Sequence, residues 1–152
     1  MKRKKNCFSK IDFKRFRGFL VLIILLLGFN VQGQIANIEL VTPSAASEAG
    51  AVGGQFRVYL TGFYLAGART INYTVTGTAN PNGTAANASD YNALPISVTI
   101  PSGGSEAFIN VAGIVDDNLV EGTETIIVTL NNGINYTPAL GATSSATLSI
   151  AD

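Results

Sequence analysis

The chain has 152 residues, with 10 Lys+Arg against 10 Asp+Glu, no His, no Trp and a single Cys. The zero net charge conceals two unlike segments: residues 1–33 hold eight basic residues against Asp12, a balance of +7, and residues 34–152 hold only Arg57 and Arg69 against nine acids, a balance of −7. Residues 34–152 contain no Lys, His, Cys, Met or Trp, which excludes imidazole bases, thiolate nucleophiles, Schiff-base lysines and Cys/His zinc sites and disfavours a phosphate backbone as partner.

In chain order, the polar, basic residues 1–17 lead into an apolar run over 18–29. That run is shorter than the roughly 20 residues a membrane span needs and matches the apolar core of an export signal. Val31 and Gly33 supply small residues at −3 and −1, so the expectation is a signal peptide over 1–33 with cleavage before Gln34; an uncleaved anchor is the alternative. Cys7 lies upstream of the run and would leave with it.

Beyond Gln34, apolar residues alternate with period two between Gly, Pro, Asn and Ser clusters, the pattern of half-buried strands. Strands are expected at Ile35–Val41, around Phe56, Val58 and Leu60, and around Ile71, Tyr73 and Val75. Ile96, Val98 and Ile100 mark a fourth, which stops at the turn residues Pro101 to Gly104. Ala107–Val111, Thr125–Leu130 and Ala146–Ile150 complete seven. No convincing helical stripe interrupts them. The fold expected is all-β, a seven-stranded antiparallel β-sandwich of immunoglobulin-like architecture following an N-terminal signal segment. A chain of this size buries enough surface for one unaided core.

Six acids fall where strand pattern breaks. Glu48 precedes the second strand, Asp116, Asp117, Glu121 and Glu124 crowd between the fifth and sixth, and Asp152 ends the last. In a sandwich these places share one pole, where like charges repel unless solvated, protonated or neutralised. Ca²⁺ takes six to eight oxygen ligands and suits such a set. On composition alone the same residues read first as solvated turns, since Asp and Asn favour local backbone hydrogen bonds. Asp90 reads as structural, bonding nearby backbone amides beside Tyr91. Without His or Lys there is no base to activate Ser or Thr, and no aromatic sugar platform is evident, so no enzyme is expected.

Across 46–152 the sequence resembles the Calx-beta domain, found in sodium/calcium exchangers, integrin beta-4 and bacterial surface proteins. The motifs that carry the likeness are Ser47-Glu-Ala-Gly50, Ile71-Asn-Tyr-Thr-Val-Thr-Gly-Thr-Ala79, Ala88-Ser-Asp-Tyr91, Ile100-Pro-Ser-Gly-Gly104, Ile114-Val-Asp-Asp-Asn-Leu-Val-Glu-Gly-Thr-Glu124 and Thr147-Leu-Ser-Ile-Ala-Asp152. The resemblance implies calcium held at one pole by Glu48, Asp116, Asp117, Glu121, Glu124 and Asp152, with Leu119 offering its backbone carbonyl; it reverses the solvated-turn reading. Thr76 stands where many calcium-binding members carry Asp, and the acidic run that often ends the domain stops here at Asp152. Fewer carboxylates imply weak binding, in the range of about 10⁻⁴–10⁻³ M.

The resulting expectations are a signal peptide at 1–33, a lead-in and first strand at 34–45, and a Calx-beta domain at 46–152. The protein is expected to be secreted or at the cell surface, a calcium-binding module in adhesion or cell communication and the N-terminal part of a larger surface protein. Its expected partners are the calcium ion and other surface proteins or neighbouring domains, without nucleic acid, and with the membrane met only through the signal segment or a larger assembly. The alternative is a calcium-independent spacer in a surface stalk.

Overall fold

The computed structural model describes residues 33–41, 45–62, 67–81, 89–117 and 120–152. The expected export segment up to residue 32, and Leu119, lie outside them.

Nine strands form: β1 Gln34–Val41, β2 Ala45–Ser47, β3 Gly54–Thr61, β4 Arg69–Gly77, β5 Ser97–Ile100, β6 Glu106–Val111, β7 Glu124–Leu130, β8 Tyr136–Pro138 and β9 Ser145–Ala151. They make two sheets, one in the order β6-β3-β1-β8 and the other β2-β9-β7-β4-β5. The seven expected strands are all present. Their inward positions supply the core: Phe56, Val58, Ile71, Ile126, Val128, Leu148 and Ile150 are fully buried, each worth about 1.5–3 kcal/mol relative to exposure.

Three features correct the sequence expectation. The strand count is nine rather than seven, because β2 and β8 are three-residue strands, too short for period-two alternation to register. The sandwich is also not wholly antiparallel: β1 runs parallel to β8, pairing Gln34 with Tyr136, and β2 runs parallel to β9, pairing Ser47 with Ala151. These ladders arise because the first strand segment serves both sheets. β1 pairs with β3 in one and β2 with β9 in the other. Finally, Ile96 lies outside β5 and is 83% exposed, not on the buried face.

The end of β4 is shaped by Gly77, at φ +132°. The amides of Thr78 and Ala79 both donate to the Thr125 carbonyl, at 3.0 and 3.1 Å. A Cβ on Gly77 would stand 2.0 Å from that carbonyl oxygen. Glycine thus permits the close approach that turns the chain off β4 towards Asn80 and Asp90.

Candidate metal centre

β2, β9 and β7 lie side by side, and the site is built where they end. Ser47 pairs with Ala151, and the next amide, of Glu48, donates to the Ala151 carbonyl at 2.9 Å. Glu48 therefore sits beside Asp152. It opens a tight turn in which the Ala51 amide returns to the Glu48 carbonyl at 2.8 Å, with Gly50 and Ala51 at positive φ. On the other side of β9, Glu124 starts β7 opposite Ile150. Upstream of it, the Glu121 amide donates to Asp152 Oδ2 at 3.2 Å.

Asp90 reaches the same place from the segment between β4 and β5. Its carboxylate accepts the Asn80 amide, its own amide donates to the Asn80 carbonyl at 3.0 Å, and its carbonyl accepts the Val115 amide at 3.2 Å. These bonds tie the segment after β4 to the segment after β6. Tyr91, 2% exposed, anchors it in the core.

Carboxylate oxygens of Glu48, Asp90 and Glu121 consequently lie within 4.8 Å of one another. Glu48 and Asp90 are each only 3% exposed, while Glu121 is exposed. Burial, then the charges of Asp152, Glu121, Asp90 and Asp117, raise the Glu48 carboxyl above its ordinary value. Glu121 is raised by desolvation and by Asp90, Asp117 and Asp152. Glu124 is pushed up to about 7 by burial, by its hydrogen bond with Asp90 and by the charges of Asp90, Glu121 and Glu48. Its Oε2 is buried without a hydrogen-bond partner.

Every one of these influences raises the pKa, and none comes from a cation. The two arginines of 34–152 are engaged elsewhere. Arg57 pairs with Glu39 and Glu106, each at 2.7 Å, and Arg69 Nε donates to Gln34 Oε1 at 3.0 Å. The donor set is all oxygen, crowded and, among the described residues, without a counter-charge. It fits a hard divalent cation of calcium's kind and gives a carboxylate-only site no thiolate or imidazole to attract softer metals.

Of the residues expected from sequence, the structure brings Glu48, Glu121, Glu124 and Asp152 together and places Asp117, half-buried, close enough to act on Glu48 and Glu121. Asp116 is exposed and is not among the charges felt by Glu48, Glu121 or Glu124. Asp90 was expected to bond backbone amides, and it does; its place among the carboxylates was missed. The only sequence signal for it was an acid in a strand-free stretch beside a buried aromatic.

The Calx-beta domain family model matches residues 36–152. Two solved structures share the fold. One is CBD12 from CALX1.2, with 18% identity and a TM-score of 0.51, and the other is the calcium binding domain CBD12 of CALX1.1, with 20% identity and a TM-score of 0.52. In each case the match covers 76% of this chain and 44% of the other, so the chain spans less than half the length of those structures. A search of the curated proteins returned no match.

Proposed function

We propose, from the premise that this chain belongs to the Calx-beta domain family, that its acidic pole binds Ca²⁺ and that the ion stiffens an exported surface module. The observation that carries this is the convergence of the Glu48, Asp90 and Glu121 carboxylates within 4.8 Å, with no cation among the described residues acting on Glu48 or Glu121. Glu124, Asp152 and Asp117 complete the ligand set. An ion here replaces mutual repulsion by attraction and satisfies the orphaned Glu124 Oε2. It stabilises the folded state by the free energy of preferential binding.

The setting we propose is the cell surface or the extracellular medium, reached through residues 1–33 as a signal peptide, and the role is adhesion or communication within a larger surface protein, without catalysis. Support comes from the basic segment followed by a short apolar run. Thermal unfolding of residues 34–152 in calcium and in chelator tests the ion-binding reading. A saturable rise of several degrees in the micromolar to millimolar range is expected. Identical melting in both would sink it and favour a calcium-independent spacer, the reading to which Thr76 in place of an acid lends support.

A further inference from the structure

Gln34 opens β1 and is only 2% exposed. β1 lies in one sheet, and Arg69 opens β4 in the other. Arg69 Nε donates to Gln34 Oε1 at 3.0 Å, so this side-chain carbonyl links the two sheets. The Gln34 backbone is held as well, paired with Tyr136 of β8. The expected export cut falls between Gly33 and Gln34. A chain released there begins inside the sheet, on a glutamine whose amide carbonyl is already polarised by a guanidinium.

The α-amine created by that cut can reach the side-chain Cδ of its own residue in a five-membered ring, so attack is intramolecular and favoured by proximity. As an ammonium, the same nitrogen would share its residue with the Arg69 contact, and a like charge nearby favours the neutral, nucleophilic amine. Arg69 Nε donates to the oxygen on which negative charge develops as the amine adds, the arrangement that stabilises an oxyanion.

We propose that Gln34 is a modification site that closes to pyroglutamate once residues 1–33 are removed, with Arg69 assisting the ring closure; this rests on the proposed cleavage before Gln34. The α-nitrogen bonds to Cδ, the Cδ–Nε2 bond breaks, and a proton from the amine leaves with Nε2 as ammonia. No oxidant or further reactant enters. The lactam keeps one N–H and one carbonyl oxygen and carries no charge, which suits a residue so little exposed. An end without a free amine is also closed to aminopeptidases.

Mass spectrometry of the full chain, expressed in an exporting host, reads the mature N-terminus. A chain that begins at Gln34 and weighs one ammonia less than residues 34–152 is expected. The full mass, with a free amine on Gln34, overturns the proposal and leaves the export reading standing; an N-terminus elsewhere overturns both. The part played by Arg69 is read on chain cut in vitro at a protease site placed before Gln34, with ammonia loss followed over time. Arg69→Gln should convert about tenfold more slowly than the parent when folded, and at the parent's rate when both are unfolded in urea. The folded parent should also convert faster than the parent in urea, a comparison that needs no variant. Equal rates for folded parent and variant, or a parent that converts faster in urea, overturn the assistance by Arg69.

Discussion

Asp90 and Asn80 clasp each other: the Asn80 amide donates to the Asp90 carboxylate, and the Asp90 amide donates to the Asn80 carbonyl at 3.0 Å. One carboxylate thereby closes the excursion after β4 and faces Glu48 and Glu121. The two roles separate by substitution. Asp90→Asn keeps an acceptor oxygen for the Asn80 amide and removes the charge, so its fold should persist with a weakened calcium response. Asp90→Ala loses the acceptor as well and should cost about 1–3 kcal/mol of stability even in chelator. Chemical denaturation of both variants, with and without calcium, distinguishes these outcomes; equal losses in chelator would contradict the assignment.

Glu124 offers the sharpest test of the ion. Burial and neighbouring acids push its carboxyl up to about 7, and its Oε2 is unpartnered. Glu124→Gln removes the charge that is poorly tolerated without metal. In chelator the variant should melt at or above the parent at pH 8, and in millimolar calcium it should gain much less than the parent. Differential scanning calorimetry in the two buffers reads both effects.

The same carboxyl predicts the pH dependence. Its folded pKa, about 7, lies above the unfolded value of 4.5, so between those values the folded state binds more protons than the unfolded one. Stability without metal should therefore fall as pH rises from about 4.5 through 7. Calcium competes with that proton, so its apparent affinity should rise over the same interval. Urea midpoints in chelator and calcium titrations at pH 5, 6, 7 and 8 check the pair of trends. A metal-free domain that gains stability over this window would contradict the prediction.

Gly77 sets the path by which β4 leaves its sheet. With φ at +132° and a would-be Cβ 2.0 Å from the Thr125 carbonyl oxygen, Gly77→Ala meets both backbone strain and a collision. A loss of about 1–3 kcal/mol is expected. Because Thr78, Ala79 and Asn80 follow directly, amide exchange should accelerate at Thr78, Ala79 and Asp90 beyond the global change. Native-like exchange at those amides would show that the turn does not depend on this glycine.

Strand identity was legible because it is local. Phe56 and Val58 alternate with Gln55, Arg57 and Tyr59 whatever they pair with, and both are fully buried. Ile96 fits the same alternation and is exposed, because β5 begins only at Ser97. β2 and β8 were illegible for a different reason: three residues carry too little pattern, and their parallel pairing joins residues about a hundred positions apart.

The sequence by itself determined the all-β character, the excess of acid over base in residues 34–152, and the absence of nitrogen and sulfur ligands from them. Periodicity and composition require no knowledge of contacts, so these could be read directly. Which acids meet was decided only by tertiary structure. The parallel β2–β9 ladder sets Glu48 beside Asp152, and the clasp to Asn80 brings in Asp90, while Asp116 stays exposed among solvent-facing residues. Carboxylates interact through space over a few ångströms, and sheet crossing and register set those distances between residues far apart in the chain.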